Sequence, residues 1–462
     1  MKVLFVIDTL DYADQIAIAY LGAVAKQHHH ETKFCTLASG NFLRFVLDWG
    51  PDVIAYSVNV MSYDNIVRMN AMARLVRNFI AIMGGPQPTY SPETFIQSGM
   101  DAYCVGEGEG AFGEFLDKIS VGEQYDDILN IITKKAKNPV RPLIRDLDSL
   151  PLADRDLTIA NSYLANTPKK TFYATRGCPF DCAYCCNNYY HKLYHGEPLV
   201  RRFSVQRLIE EIERVKSKYR MEFVKFGDDL FAMKADSWLR SFAQEYRKRV
   251  NIPFNCYLRL DLVNIDLLST LKDAGCYSVH LSVDSTSKHV RDDVLRRRMQ
   301  TDRIEDKLRL IHEFKINTWV NFMLAAPEST LTDDIESIRL SKRVGITYPA
   351  YSTTTPMPGT DLYDYCIRAN LIDTKTYTAD MTGCSRPSAL TCFSEKERQI
   401  RYNIYLLGAA IAKLPWPVSE LAIKIIKHVS PNGLFVKISV KIRVWLYNHY
   451  ITKKIFKFSK NY

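Results

Sequence analysis

Short apolar runs alternate with longer amphipathic segments through the first 120 residues. Helical patterns over 13–27, 64–77 and 111–119 are interspersed among the apolar runs KVLFVI, DVIAYSV, FIAIMGG and AYCVG. Alternation of buried strands with helices is typical of a parallel sheet covered on both faces. The pattern therefore predicts an α/β, doubly wound (Rossmann-like) N-terminal domain, to which we assign residues 1–125.

A second alternating pattern begins at Thr171. Helix-length segments separate the apolar runs TFYATR, FVKFGD, FNCYLRL, SVHLSVD, TWVNFML and TYPAYSTT. These six strand and helix units predict a parallel partial (β/α)6 TIM barrel over 166–365, and barrels of this kind carry their sites at the carboxyl ends of the strands. Residues 126–165 are polar and then rich in Pro, Asp and Leu, which predicts a linker.

The C-terminal region, 366–462, is basic and amphipathic. From Arg401 onward, 11 Lys and Arg accompany one acid, Glu420, so this segment carries the whole formal net charge of +10. Alternation over 436–444 fits a strand, but the apolar spacing also fits a helix, which we favour. The surface could adsorb to anionic lipid, or it could cap the barrel with a solvated Lys face, and both interpretations stay open.

The overall composition is that of a soluble globular protein, with 47% hydrophobic and 24% charged residues. The apolar run that precedes Asp8 is too short for a signal peptide, and no stretch approaches the length of a membrane span. We expect a cytoplasmic protein, in peripheral contact with the inner face of the membrane if the tail binds lipid. No nucleic-acid-binding module accompanies the basic tail, so nucleic acid is not an expected partner.

One cysteine-rich segment, 176–188, carries the strongest chemical signal. A compact loop with three thiolates can hold a 4Fe-4S cluster and leave the fourth iron open to a ligand. Structural zinc usually requires two pairs of ligands, and 11 Cys are sparse and odd in number for a disulfide framework. We interpret Cys186 as a packed thiol outside the set. The predicted cluster ligands are Cys178, Cys182 and Cys185.

With Arg-Gly before its first cysteine, this segment resembles the cluster loop of the radical S-adenosylmethionine superfamily. Upstream, VRPLIRDLDSLPLADRDL resembles the linker found in the branch with an N-terminal cobalamin-binding domain. Downstream, the order of that branch is followed by VRRFSVQRLIEEIERV, VKFGDDLF, YLRLDLVNIDLLSTLKDAGC, VHLSVDSTS, FMLAAPESTLTDD and TTTPMPGTDLYDY. The resemblance covers residues 1 to about 365 and implies S-adenosylmethionine on the open iron.

The resemblance also implies which residues contact S-adenosylmethionine. Gly227, Asp228 and Asp229 stand where the superfamily receives the methionine amino group, and a carboxylate suits an ammonium. Asp284 stands where relatives hold the ribose hydroxyls. Tyr184 before the last cluster cysteine and Arg259 complete the predicted set.

Two features of this set allow another interpretation. Arg259 and Asp261 could form a purely architectural salt bridge. Residues 325–328, Ala-Ala-Pro-Glu, replace the usual glycine-containing loop on the adenine side, which weakens the expectation of a close backbone approach there.

The cobalamin-domain pattern is carried by MGGPQPTYSPETF and DAYCVGEGEGAFGEFL. Turn glycines after strands are the alternative explanation for several of its positions. The Asp-x-His-x-x-Gly loop is absent after the first strand, where IDTLDYADQ stands, so bound cobalamin is expected to lack a protein His ligand to cobalt. We interpret His28, His29 and His30 as a solvated triplet. The predicted cobalamin contacts are Ser57, Asn59, Gly84, Gly85, Gln87, Gly106, Glu107 and Gly108.

The resemblance implies a cobalamin-dependent radical enzyme of the class B methyltransferase type. We expect it to methylate an unactivated carbon of a hydrophobic or lipid-like small molecule, through a 5′-deoxyadenosyl radical and methylcobalamin, with flavodoxin or ferredoxin as electron donor. Cyclisation, rearrangement or oxidation with cobalamin is one alternative, and a radical enzyme that has lost cobalamin is another. A corrinoid sensor or carrier is a third, but it would have no use for the cluster loop.

Overall fold

The computed structural model describes residues 1–10, 14–301, 303–377 and 384–453. The chain divides into two compact units. The first contains Met1–Thr167, Tyr189–Phe203 and Arg214–Arg220, and the second contains Pro168–Asn188, Ser204–Glu213 and the chain from Met221 onward. The boundaries at 125, 165 and 365 stay predictions.

The first unit is built on a six-stranded sheet. Its strands are β1 (Lys2–Ile7), β2 (Glu31–Thr36), β3 (Val53–Ser57), β4 (Ile80–Gly84), β5 (Ala102–Cys104) and β6 (Ile131–Ile132). They lie in the order β2-β1-β3-β4-β5-β6, and all pairs are parallel except β5 with β6. The sequence pattern misses β2, because ETKFCT at the sheet edge is only partly buried and has no continuous apolar run.

Helices cover both faces of this sheet. Val3 and Phe5 of β1 pack into one hydrophobic cluster, and the alternate residues Leu4 and Val6 pack into another. This division confirms the predicted Rossmann-like architecture. The helices are α1 (Ile16–Gln27), α2 (Phe42–Trp49), α3 (Tyr63–Arg74), α4 (Pro86–Tyr90), α5 (Phe95–Ser98), α6 (Glu109–Ser120) and α7 (Arg155–Ile159).

The second unit is built on six strands that are parallel throughout. They lie in the order β14-β13-β12-β11-β10-β7, with bounds β7 (Lys169–Phe172), β10 (Phe223–Phe226), β11 (Phe254–Tyr257), β12 (Cys276–Asp284), β13 (Asn317–Leu324) and β14 (Tyr348–Thr353). All six predicted strands are confirmed. Two short strands, β8 (Thr175–Arg176) and β9 (Arg201–Arg202), lie between β7 and β10 in the chain.

Helices separate these strands along the chain. They are α8 (Cys186–Leu193), α9 (Val205–Lys218), α10 (Ser237–Glu245), α11 (Ile265–Ala274), α12 (Ile304–Glu313), α13 (Leu331–Arg343) and α14 (Asp361–Arg368). Several begin at a side-chain cap; Asp236, for example, accepts a hydrogen bond from the Leu239 amide at 3.0 Å. Caps of this kind fix where each helix starts after its strand-end loop.

The C-terminal region is helical, as favoured from the sequence. It contains α15 (Glu395–Ile411), α16 (Val418–Ile426) and α17 (Gly433–Leu446), and α15 packs on β14 and α17. The turn after α17 reaches the amino-terminal half of the parallel sheet: the Ser278 hydroxyl donates to the Ile451 carbonyl at 2.8 Å, and the Tyr447 ring lies 5.4 Å from that of Trp319. The predicted region also includes 378–383 and 454–462, which lie outside the described residues.

Among the described residues, every helix is too short or too polar to cross a membrane.

Candidate functional site

The cysteine loop joins β8 to α8 and brings its three predicted ligands together. The Cys185 amide donates to the Cys182 carbonyl at 3.0 Å, which forms a tight turn. Burial raises the pKa of the Cys178 thiol to about 12, and the nearby Cys185 and Cys182 add to the effect. The prediction for Cys186 is wrong: its thiol is exposed, because it opens α8.

Three thiols on one loop match the ligand set of a 4Fe-4S cluster with one open iron. Within the described part of the chain, no three His, Cys, Asp or Glu side chains converge closely enough to bind one metal ion. A cubane binds each thiolate through a different iron, so its ligands stand farther apart than those of zinc. Three thiols on one loop therefore fit an iron–sulfur cluster.

Two arginines, the buried Arg259 and the partly buried Arg297, approach the second cysteine of the loop. Arg259 Nη1 lies 3.8 Å from Cys182 Sγ, and Arg297 Nη1 lies 4.0 Å from it. Burial raises the pKa of Cys182, and both guanidinium groups oppose that rise. Arg259 also donates to Asp261 at 2.7 Å and stacks on Phe180, so the architectural salt bridge is present, and its role toward the cosubstrate stays a prediction.

Asp284 ties the cysteine loop to the end of β12. The Tyr184 hydroxyl donates to Asp284 Oδ2 at 2.6 Å, and Arg297 Nε lies 3.0 Å from the same oxygen. The Ser282 hydroxyl donates to Oδ1. Since both carboxylate oxygens already have partners, Asp284 has less capacity for ribose hydroxyls than its position in the sequence suggested.

Asp228 is buried at the end of β10 with one oxygen unsatisfied. Its Oδ1 accepts hydrogen bonds from the Ala174 amide at 2.8 Å and the Thr175 hydroxyl at 2.7 Å. Its Oδ2 has no hydrogen-bond partner among the described residues. Burial raises the pKa of this carboxyl to about 7. A buried carboxylate with a free oxygen fits an absent donor such as an ammonium group.

Asp229 and Gly227 flank Asp228 after the end of β10. Asp229 is exposed, yet surrounding protein raises its pKa by desolvation, against a hydrogen bond from Asn187. A Cβ atom on Gly227 would lie 2.8 Å from Cζ of Tyr173, so this position requires glycine unless the ring moves.

The loop at 325–328 forms without glycine. Ala325 has a φ of +57° and Glu328 a φ of +64°, both in the left-handed region that ordinarily favours glycine. The Ala325 amide donates to Asp334 Oδ2 at 3.2 Å, which helps to hold this backbone. The turn therefore forms although it contains no glycine.

Sequence reasoning did not find Arg297, Ser282, Tyr173 or Asn187. The run of three arginines at 296–298 was the only available signal for Arg297. The other side chains become site residues only through their tertiary positions.

In the first unit, the predicted cobalamin contacts follow three adjacent strands. Ser57 and Gly84 are register partners at the ends of β3 and β4. Gly85 has a φ of +97°, and a Cβ there would lie 3.0 Å from the Val58 carbonyl oxygen. Gln87 is buried, and its Oε1 has no partner among the described residues. The unsatisfied oxygen of Gln87 and the backbone of Gly84 and Gly85, which no side chain covers, fit a bulky polar ligand such as a corrin.

The remaining predicted contacts are held by protein partners. Glu107 pairs with Arg201 through bonds of 2.7 and 2.9 Å, which gives Arg201 a structural role. Asn59 Oδ1 accepts the Ser62 amide at 3.1 Å just before α3. The Tyr194 ring covers Gly106, since a Cβ there would lie 2.0 Å from its hydroxyl oxygen. Gly108 is the N-cap residue of α6.

The three histidines lie away from those strand ends. His28 hydrogen-bonds Asp117 at 2.8 Å, and buried His30 lies 3.4 Å from the Met1 amine at the start of β1. Only His29 is exposed, so the predicted solvated triplet is wrong for His30. Of the IDTLDYADQ loop, residues 11–13 lie outside the described residues.

Comparison with known proteins gives two family matches. The Radical SAM superfamily model matches residues 172–341, and the B12 binding domain model matches residues 4–116. An uncharacterized methyltransferase of Pyrococcus horikoshii is 25% identical over 375 residues, 78% of this chain and 80% of the relative. Cytidylyl-2-hydroxyethylphosphonate methyltransferase of Streptomyces wedmorensis is 21% identical over 435 residues, 79% of this chain and 80% of that enzyme.

A solved structure shares the fold. The radical S-adenosylmethionine methyltransferase TsrM of Kitasatospora setae, with tryptophan and a cosubstrate analogue bound, superposes with a TM-score of 0.67 at 13% identity, over 81% of this chain and 77% of TsrM. The cofactors of this chain are a 4Fe-4S cluster, S-adenosylmethionine and cobalamin. The chain therefore belongs to the B12-binding, class B methyltransferase branch of the radical S-adenosylmethionine enzymes.

Proposed function

We propose that the enzyme transfers a methyl group to an unactivated carbon of a hydrophobic small molecule. The proposal that S-adenosylmethionine is the cosubstrate is supported chiefly by Asp228. Its buried, unsatisfied carboxylate oxygen lies in the same unit as the cysteine loop. When bound, the cluster supplies the electron that cleaves S-adenosylmethionine, and the cobalamin supplies the methyl group. A low-potential carrier such as flavodoxin or ferredoxin would provide that electron.

The proposed roles follow the chemistry of each side chain. Cys178, Cys182 and Cys185 hold the cluster. Asp228 receives the methionine ammonium, assisted by Asp229, because a carboxylate and an ammonium form strong charge-assisted hydrogen bonds. Gly227 would contact the cosubstrate through its backbone, with the Tyr173 ring packed against it. Asp284, Tyr184 and Arg259 fix the loop around the cluster rather than contact the reacting atoms.

In the first unit, we propose that cobalamin lies over the ends of β3, β4 and β5. Ser57, Gly84, Gly85 and Gln87 would contact it, and Gly106, Glu107, Gly108 and Asn59 would shape the loops beneath it. The three histidines lie at the opposite ends of the strands, which supports binding without a His ligand to cobalt.

The substrate class is argued from the inner face of the barrel sheet. Tyr257, His280, Trp319 and Tyr348 are successive register partners on β11 to β14. Their rings form an aromatic belt, with centroids 4.2, 4.0 and 5.3 Å apart. Two residues further along β12, β13 and β14, the side chains on the same face of the sheet are small or polar and half-buried. They are Ser282, Asn321 and Ala350. We propose that an apolar substrate lies in the interior of the partial barrel, here called the lumen, between the aromatic belt and the strand ends.

The names of the relatives do not identify the substrate class of this enzyme. The Streptomyces enzyme is named for a cytidylyl phosphonate, and the TsrM structure contains tryptophan. The aromatic belt therefore carries the proposal of a hydrophobic substrate.

Incubation without oxygen tests the reaction. Reconstituted enzyme, reductant, hydroxocobalamin and methyl-labelled S-adenosylmethionine would be combined with lipid and polar extracts of the source cells. We expect labelled product in the lipid extract together with 5′-deoxyadenosine, and neither with the C178A/C182A/C185A variant. Deoxyadenosine without labelled product would contradict methyl transfer and favour cyclisation, rearrangement or oxidation. Labelled product formed without cobalamin would contradict its role.

We propose also that the C-terminal helices contact an anionic membrane. Large apolar side chains are exposed at Trp416, Leu421, Ile425, Leu434, Val440 and Trp445. Lys424, Lys427, Lys437 and Lys441 lie among them in the sequence. Glu420 interacts electrostatically with Lys424 and Lys427, but no salt bridge joins these four lysines to an acid among the described residues. Each Lys near such a surface contributes about 1 kcal/mol to adsorption, and the apolar side chains add to it.

Substitution is a sharper test of membrane contact than truncation. Truncation after residue 400 would delete Arg401 and Tyr447, which are packed in the second unit. We expect K424Q/K427Q/K437Q/K441Q to lose co-flotation with phosphatidylserine vesicles, and the control K134Q/K137Q/K248Q/K396Q, at exposed sites elsewhere, to retain it. Equal flotation of the two variants would remove the basis for membrane contact.

A further inference from the structure

One lysine lies beside the aromatic belt. Lys225 lies on β10 in register with Asn255 of β11, two residues before Gly227. Its Nζ lies 5.2 Å from the centroid of the Tyr257 ring and 5.8 Å from that of Trp319. Lys225 is half-buried.

No anion of the protein balances this charge. Among the described residues, Lys225 forms neither a salt bridge nor a hydrogen bond through its side chain. Burial and the nearby Lys169 lower its pKa, which is the direction expected for a cation without an acidic partner. A desolvated ammonium without an anion is unfavourable, and aromatic faces compensate only in part.

The other groups around Lys225 do not supply a negative charge. His280 stacks between Tyr257 and Trp319, and burial together with Lys225 lowers its pKa to about 3, so it is neutral. The Nδ1 atom of His280 has no partner among the described residues. Tyr447, which lies next to Trp319, is held protonated because burial raises its pKa. Lys225 therefore lies among aromatic rings and one unsatisfied imidazole nitrogen, and Lys169, whose Nζ lies 5.9 Å from the Tyr447 ring centroid, adds a second cation nearby.

We propose that Lys225 binds an anionic group of the substrate, a carboxylate, sulfonate or phosphate, at the floor of the lumen. The inference rests on the proposed function and specifies its substrate as an amphiphilic acid. Its apolar body lies along the aromatic belt and its reacting carbon points to the strand ends. His280 and Asp284 are four residues apart on β12, about 13 Å at 3.3 Å per residue, which sets the length of the bound molecule.

A pair of probes with the same ring system tests the proposal without turnover. Naphthalene-2-carboxylate and naphthalene-2-carboxamide would be titrated by calorimetry into the holoenzyme reconstituted with cluster and cobalamin. We expect wild type to bind the carboxylate about 10-fold more tightly, as charge-assisted hydrogen bonds imply. K225M should lose that preference and keep its affinity for the carboxamide. The control K248M, at an exposed lysine after α10, should behave as wild type.

Three outcomes would overturn the proposal. They are absence of carboxylate binding, a carboxylate preference that survives K225M, and loss of the preference when saturating S-adenosylhomocysteine is present. The last would assign Lys225 to the carboxylate of the cosubstrate instead. Thermal unfolding of K225M establishes that the variant is folded, and K225R, which keeps the charge, should retain the preference. Because no methyl transfer is required, failure of this test is distinct from failure of the labelling experiment.

Discussion

Asp334 and Arg401 form an ion pair almost excluded from solvent, with Arg401 Nε 2.6 Å from Asp334 Oδ2. The same carboxylate oxygen accepts the Ala325 amide, and Arg401 donates to the Ser329 carbonyl at 3.1 Å. The guanidinium also stacks on Phe393, 4.0 Å from the ring centroid. One residue of the C-terminal region thus fixes the 325–328 loop that follows β13.

Replacing Arg401 should destabilise the protein strongly. R401M leaves Asp334 buried without its partner, and we expect the free energy of unfolding to fall by about 3–5 kcal/mol. Urea denaturation measures this loss. The control is R343M, which breaks a largely exposed pair with Glu305 and should change stability by less than about 1 kcal/mol. Similar losses of unfolding free energy in the two variants would show that the buried pair contributes no more to stability than the exposed pair.

Asp228 should make stability depend on pH. Its pKa is about 7 in the folded chain against an ordinary value of 3.8, so the folded state binds the proton more tightly. Its contribution is therefore fully present below pH 4 and is lost as the pH rises toward 7, by roughly 1.4 kcal/mol per unit. We expect D228N to flatten the fall of unfolding free energy between pH 5 and 8, whereas D266N, in an exposed pair, should not.

The same carboxyl predicts how cosubstrate binding varies with pH. Because Asp228 must be ionised to attract an ammonium, affinity for S-adenosylmethionine should increase between pH 6 and 8 in the wild type. D228N should bind weakly at both values, and equilibrium dialysis under anaerobic conditions measures the difference. Affinity that is independent of pH in the wild type would contradict the assigned role.

Gly106 and Gly122 offer a matched test of the cobalamin domain. Both have left-handed backbones, with φ of +77° and +75°. A Cβ on Gly106 would collide with Tyr194, whereas one on Gly122 meets nothing within 4 Å. We expect G122A to lose about 1–2 kcal/mol of stability from backbone strain, and G106A to lose more because Tyr194 must also move. Only G106A should also weaken hydroxocobalamin binding, as measured by absorbance titration; equal affinities would remove Gly106 from the site.

Tyr184 should help to retain the cluster. Y184F removes the hydroxyl that donates to Asp284, a bond to a charged acceptor that contributes about 1.5–3 kcal/mol. Cluster loss to a chelator, followed by absorbance, should accelerate about 10-fold. Y219F removes a similar bond of 2.6 Å to Asp156 outside the site and should have no effect on that rate. An unchanged rate in Y184F would show that Asp284 does not stabilise the loop.

What could be predicted from the sequence follows from local physics. Strands with continuous apolar runs, such as β3 and β13, and the cysteine spacing were found because short segments determine them. Arg401 was counted only as tail charge, Arg297 was marked only by the run of arginines at 296–298, and Lys225 carried no local signal. Their roles come from neighbours distant in sequence: Lys225 meets Trp319 across the barrel, and Arg297 meets Cys182. The edge strand β2 was missed because a half-exposed strand needs no apolar run.

Iron and sulfide analysis of anaerobically reconstituted protein tests the central claim most directly. We predict about four irons and four sulfides per chain, with an electron paramagnetic resonance signal that changes on addition of S-adenosylmethionine. The C178A/C182A/C185A variant should contain neither, and C186A, which alters the exposed neighbouring thiol, should match wild type. Wild-type protein without iron, or a triple variant that retains the cluster, would contradict the account.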